Sequence, residues 1–221
     1  MLPGPFFIRK CNACPGVIKD HSFISCNTVG AEIWTDGYCE APILPERPQL
    51  GKCPNCHTLI WSDDLEIIEE VEFDSTNNKY PDAKRYSWPE KDDFEKALNS
   101  IKLNDDEERY LRIQLWWVYN NSRRWELKKK DITNIEQENL SILLNLLNPD
   151  NSDELIMIIE ILRELSRFNE AKIFSNKPID DKYKYEIDFL RELIKIEDSF
   201  VKKFPNENHF LNDSVVLVTG E

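Results

Sequence analysis

The 221-residue sequence holds three histidines (His21, His57 and His209) and six glycines. It has no Ser/His/Asp grouping, no phosphate-cradling glycine loop and no His-Glu-x-x-His motif. Most catalytic templates therefore have too little to work with. No apolar run is long enough to span a membrane. Positive charge is short as well: 28 Lys+Arg stand against 41 Asp+Glu, a formal net charge of −13. That balance runs against sequence-independent binding to nucleic acid. The opening residues Met1-Leu2-Pro3-Gly4-Pro5-Phe6-Phe7-Ile8 are too short and proline-broken to read as a secretory leader. A reducing, cytoplasmic setting is the expectation.

Cysteine is present but confined: all six (11, 14, 26, 39, 53, 56) lie in the first quarter or so of the chain. Four of them form two Cys-x-x-Cys knuckles, Cys11-Asn12-Ala13-Cys14 and Cys53-Pro54-Asn55-Cys56. Each knuckle places two thiolates on one tight turn, and two such turns supply the four soft ligands that tetrahedral zinc prefers. Between them lie 38 residues, more than compact patterns use. A metal does not read loop length, provided the loop folds back. One structural zinc on Cys11, Cys14, Cys53 and Cys56 is expected. Cys26 and Cys39 lack a Cys-x-x-Cys partner; they read as small buried hydrophobes rather than as a second metal pair. His57 competes for a ligand position that its neighbour Cys56 already fills. Redox use of a Cys-x-x-Cys wants a helix N-terminus after a βαβ start, whereas both knuckles here lie among β-prone residues.

Those β-prone runs are Phe6-Phe7-Ile8, Ser22-Phe23-Ile24-Ser25, Ala31-Glu32-Ile33-Trp34 and Thr58-Leu59-Ile60-Trp61. Turns are expected at residues 27–30 and at Asp36-Gly37. Pro42, Pro45 and Pro48 predict an extended, hydrogen-bond-poor stretch before the second knuckle. So few strands bury little surface, and residues 1–62 need a staple. Residues 63–87 read as a connector with one further strand within 65–73. Helical periodicity then runs from 88 to 204. Pro89 suits a first helical position. Asn104-Asp105-Asp106-Glu107 is a capping box opening a helix to about Trp125. Further helices are expected at 136–147, at 153–166 with Ser152 as its cap, at 169–175 and at 180–203. Residues 205–221 form a polar tail whose Val215-Val216-Leu217-Val218 run is either a terminal strand or loose.

Two local resemblances follow from these residues. Residues 6–61 look like a zinc ribbon with Cys11, Cys14, Cys53 and Cys56 at its ligand positions and an enlarged insert. Within the insert, Ile33-Trp34-Thr35-Asp36-Gly37 and Ala41-Pro42-Ile43-Leu44-Pro45 resemble a family of uncharacterised bacterial zinc-ribbon proteins. In that family a helical half follows the ribbon; the resemblance implies a fold and brings no activity with it. The stretch from Leu162 to Ala171 looks like the corner of a tetratricopeptide repeat, with Phe168 and Ala171 at the packing positions and Ser166 where glycine is usual. No second copy occurs at the 34-residue period, and about three repeats are needed for a stack. The expected fold is therefore α+β: a small β-rich zinc ribbon followed by an antiparallel α-helical bundle with a tetratricopeptide-like hairpin.

The charge is divided unevenly. Residues 1–62 carry five basic and five acidic side chains, leaving 23 basic and 36 acidic after position 62. Arg109, Arg112, Arg123 and Arg124, set among Tyr110, Trp116, Trp117, Tyr119 and Trp125, offer a stacking surface for single-stranded nucleic acid. With so acidic a chain, these arginines are expected instead to pair with nearby acids such as Asp105, Asp106 and Glu126. The pairs Asp63-Asp64, Asp92-Asp93 and Asp105-Asp106 read as structural, two of them at helix starts where they complement the macrodipole. The expected function is a non-catalytic, zinc-stabilised interaction or scaffold module whose helical half takes a protein or peptide. A nucleic-acid-associated zinc ribbon is the alternative, and a redox or metal-dependent enzyme the third reading.

Overall fold

The computed structural model describes residues 2–43, 48–73, 79–100, 102–125 and 130–205. The Val215–Val218 run lies outside them. The fold is α+β. Its strands are β1 (Leu2–Lys10), β2 (Val17–Ser25), β3 (Glu32–Ile33), β4 (Cys39–Glu40), β5 (Leu50–Lys52), β6 (Leu59–Trp61) and β7 (Ile67–Val71). Its helices are α1 (Lys91–Ser100), α2 (Asp105–Trp125), α3 (Asn134–Asn145), α4 (Ser152–Glu164), α5 (Phe168–Ser175) and α6 (Lys184–Lys195). The chain folds as two compact units. One takes the chain up to Gly30 and again from Ala41 to Asp93; the other takes Ala31–Glu40 together with the helices from Phe94 onward.

In the first unit β1 is the centre of a three-stranded antiparallel sheet in the order β2-β1-β7. Alternation along β1 buries Phe6 and Ile8 against Val71, as period-two side-chain geometry requires. The polar crossing point is also buried. Arg9 Nε donates to Asp20 at 2.9 Å and its Nη1 donates to the Leu65 carbonyl at 3.0 Å, tying β1, β2 and the turn at Leu65 together. A second hairpin, β5–β6, stands apart from this sheet. The sequence predicts no strand at Leu50–Lys52, but the proline-poor tail of that stretch leaves its N–H groups free to pair with β6.

The helical unit is built on local signals. The Asn104–Glu107 capping box is present: Glu107 N–H donates to Asn104 Oδ1 at 2.9 Å, and Asn104 N–H to Glu107 Oε2 at 2.8 Å. Thr133 and Glu136 form another at α3. At α4 the cap is Asn151, not Ser152, with Glu154 N–H donating to Asn151 Oδ1 at 3.1 Å. The α4–α5 corner turns through Ser166 at φ 58°, and the Arg167 N–H donates to the Leu162 carbonyl at 2.8 Å. The fully buried Ala171 lets α5 approach α4. Helix α6 stops at Lys195 instead of reaching 203. Glu197 turns left-handed at φ 53°, and the Asp198 N–H closes on the Leu193 carbonyl at 3.0 Å. Residues 201–204 then run extended.

They run extended beside the segment that leaves the β unit. The Thr35 N–H donates to the Lys202 carbonyl at 2.8 Å, and the Phe204 N–H to the Ile33 carbonyl at 2.9 Å. The 38-residue loop between the knuckles is therefore not all part of the β unit: its middle, Ala31–Glu40, is built into the helices.

Candidate metal centre

Each knuckle is the turn of a hairpin. Cys11–Cys14 lies between β1 and β2, and Cys53–Cys56 between β5 and β6. A matching backbone bond folds each one tightly. The Cys11 N–H donates to the Gly16 carbonyl at 3.0 Å, and the Cys53 N–H to the Thr58 carbonyl at 3.0 Å. In the second knuckle the chain reverses at His57, which adopts φ 60° and donates its N–H to the Cys53 carbonyl at 2.9 Å. That left-handed position is where glycine costs least, and the exposed imidazole is not one of the converging groups.

The four sulfurs of Cys11, Cys14, Cys53 and Cys56 all lie within 4.8 Å of one another. Cys11 and Cys56 are 3.9 Å apart, and Cys14 and Cys53 3.8 Å. A tetrahedron with Zn–S bonds of about 2.3 Å has edges of about 3.8 Å, so the cage is compatible with one zinc ion. All four cysteines are free thiols rather than disulfides. Backbone N–H groups point at the sulfurs: Ala13 to Cys11 at 3.3 Å, Gly16 to Cys14 at 3.4 Å and Asn55 to Cys53 at 3.4 Å. Donors so placed favour thiolates.

Asn55 also braces the two knuckles. Its side-chain amide donates to the Val17 carbonyl at 3.2 Å. A Cβ on Gly16 would stand 2.3 Å from the Asn55 Nδ2, so only glycine fits beneath that brace. Beneath the cage, Ile18, Ile60 and Leu65 are buried against Cys11 and Cys53.

Burial and hydrogen bonding shift the pKa values of Cys11, Cys14 and Cys56. Cys56 is pulled down to about 6, chiefly by the Thr58 hydroxyl and then by its backbone N–H. Cys14 is pushed up to about 12: the Gly16 N–H works against the shift, but burial and the neighbouring sulfurs of Cys56, Cys11 and Cys53 outweigh it. Burial also raises Cys11. Metal binding requires thiolates, so a divalent cation bound here would displace the protons these cysteines hold.

Cys26 is buried and Cys39 half-buried, and neither joins the four-sulfur group. The three acid pairs stay outside any such cluster among the described residues. Asp93 instead accepts from Lys52 Nζ at 2.9 Å and from the Glu90 N–H at 2.8 Å.

A second concentration of polar chemistry, in the helical unit, is not legible as a site in the sequence. Thr35 and Asp36 enter the helices with almost no exposure. Asp36 pairs with Arg124, both side chains fully buried, and accepts from Asn120 Nδ2 at 2.9 Å. Thr35 donates to Glu160 at 2.5 Å, and Arg163 closes the group through Glu160 Oε2 at 2.8 Å. Glu164 accepts from Trp116 Nε1 at 3.1 Å and from Asn120 at 3.0 Å. Three carboxyls therefore face two guanidiniums. Burial raises Asp36 and lowers Arg124, so desolvation outweighs their mutual attraction. Glu164 sits well above the carboxylate range, from burial first and then from Glu160 and Asp36.

The remaining arginines of α2 are also engaged. Arg109 pairs with Asp106 at 2.7 Å and Glu154 at 3.1 Å, Arg112 with Glu108 at 2.6 Å, and Arg123 with Glu136 at 2.8 Å. Trp116 is buried beneath them, and Trp117 Nε1 donates to the Asp36 carbonyl at 2.9 Å.

Fold and site together define an α+β chain with a four-cysteine cage compatible with one metal ion. No protein-family model, curated protein or solved structure matches it. No helix among the described residues is long and apolar enough to cross a membrane.

Proposed function

We propose that the protein is a non-catalytic interaction module. In this reading residues 1–62 hold a zinc ribbon with one structural zinc on Cys11, Cys14, Cys53 and Cys56. The helical half, with a tetratricopeptide-like hairpin at α4–α5, takes a basic or amphipathic segment of another protein. Four thiolates leave a zinc ion no open position for water or substrate, which supports a structural role for the metal. The fit of the second-knuckle turn and the Asn55 brace around the sulfurs supports it further.

The observation that carries the choice of partner is the state of the α2 arginines. Arg109, Arg112, Arg123 and Arg124 each pair with a carboxylate, which leaves their charge matched rather than offered to phosphates. The acidic surplus after position 62 favours a basic partner, chiefly through association rate and rejection of wrong partners. Salt weakens both kinds of complex, so competition at matched ionic strength is the test. A labelled Lys/Leu peptide bound to the full-length protein should resist displacement by single-stranded DNA. Micromolar binding of the DNA with no binding of the peptide would contradict the proposal.

A further inference from the structure

The outer surface of the helical unit carries a groove with α2 as its floor and α1 and α3 as its walls. Leu98 of α1, Leu115 of α2 and Ile142 of α3 line it. Ile135, one α-helical heptad before Ile142, stands 61% exposed at its edge. Residues at that spacing lie on one face of a helix, so α3 turns an apolar stripe outward along the groove.

The charges around this stripe are of one predominant sign. Glu95 rises from the α1 wall, where it accepts from the Tyr119 hydroxyl at 2.8 Å. Glu138 rises from the α3 wall and has no ion-pair partner among the described residues. The lining cation, Arg112, is neutralised by Glu108 at 2.6 Å and donates to Asn139 at 3.2 Å. An apolar floor between two acidic walls is complementary to an amphipathic segment that carries lysine or arginine on either side of an apolar residue.

Size narrows the occupant. The cavity is about 220 Å³, below the roughly 300–1,000 Å³ of small-molecule sites. It suits one large apolar side chain used as an anchor. A basic residue one helical turn to either side of that anchor lies about 5–6 Å along the partner, in reach of the two walls.

We infer that this groove is the docking site for a basic amphipathic helix of another protein, which inserts a single apolar anchor between Glu95 and Glu138. The inference rests on the proposed interaction role and assigns it a place.

The test uses the full-length protein and a labelled amphipathic helical peptide built from lysine and leucine, with a scrambled peptide of equal composition as control. Binding is read by fluorescence anisotropy at near-physiological salt. Two substitutions at exposed positions map the site, Ile135→Lys and Glu138→Lys. Asp150→Lys, an equal or larger charge change away from the groove, is the control. The patterned peptide should bind more tightly than the scrambled one. Each groove substitution should weaken it by about tenfold, and the control by less than about twofold. Circular dichroism of each variant should match the parent.

Equal loss in all three variants, or equal binding of both peptides, would show a diffuse charge effect and overturn the groove. Binding that survives both groove substitutions would also overturn it, while leaving the basic-partner reading intact. Displacement by single-stranded DNA would overturn that reading as well. Self-association abolished by Ile135→Lys, with no peptide binding, would assign the groove to a second copy of this chain and refute the docking of a different protein.

Discussion

Replacing Asp36 with alanine should destabilise the helical unit far more than its position in a loop suggests. Its carboxylate is fully buried and is the ionic partner of an equally buried Arg124. It also accepts from Asn120 at 2.9 Å and from the Tyr38 N–H at 3.2 Å. Removing one member of a buried pair leaves the other charge uncompensated, which costs about 3–5 kcal/mol. Arg124 keeps its bond to the Trp117 carbonyl at 2.9 Å and its stacking over Tyr38 at 4.1 Å, so the lower end of that range applies. With a urea slope of about 2 kcal/mol/M, the unfolding midpoint followed by far-UV circular dichroism should fall by about 1.5 M. Because desolvation works against this pair, replacing both groups should recover much of the loss. Asp36→Ala with Arg124→Met should be at least about 1 kcal/mol more stable than Asp36→Ala alone. A cost below about 1 kcal/mol for Asp36→Ala would refute the buried-pair reasoning.

Stripping the metal with a chelator should unfold the β unit, since a structural zinc there would contribute roughly 10–16 kcal/mol of apparent binding energy. The helical unit, which has its own core around Trp116, Leu143, Ile159 and Leu190, should keep its circular dichroism; simultaneous loss of both signals would show one cooperative unit. His57→Gly should stabilise the metal-bound β unit by about 1 kcal/mol, since a non-glycine residue holds the left-handed turn there; a destabilised variant in thermal melts would mean the imidazole does something else. Glu164 gives a pH signature. Its folded pKa is raised by burial, Glu160 and Asp36 against the pull of Arg163, so the folded state binds the extra proton. Stability from this group therefore falls as pH rises above the ordinary carboxylate value towards the raised one. Glu164→Gln should accordingly gain on the parent in urea titrations between pH 5 and pH 8; a gap that stays constant or shrinks would mean Glu164 is ionised throughout.

The cysteine group was legible because its signal is local: Cys-x-x-Cys is a turn with two soft ligands, and two such turns have few uses besides a shared metal. The helices were legible for a similar reason, since capping residues and an apolar stripe lie within a few positions of each other. Ends set by a side chain's choice of conformation were less so. Asn151 outcompeted its neighbour Ser152 as the α4 cap, and Glu197 ended α6 without a glycine to announce it. The excursion of residues 31–40 was not legible at all. Asp36-Gly37 has the composition of any turn, and nothing near it in sequence reveals that its partner is Arg124. The same holds for the partners that Arg109 and Arg123 find on other helices. Asp106 was an expected partner of Arg109, but Glu154 and Glu136 come from other helices. Long-range charge pairing is decided by packing, which a local pattern does not contain.

Zinc stoichiometry and ligand type, measured together on protein purified without chelator, test the central claim most directly. Elemental analysis should give one zinc per chain. X-ray absorption at the zinc edge should show four sulfur neighbours at about 2.3 Å, with the signal lost in Cys11→Ser and Cys53→Ser variants. Protein free of zinc, or a zinc shell containing nitrogen from His57 or oxygen from water, would contradict it.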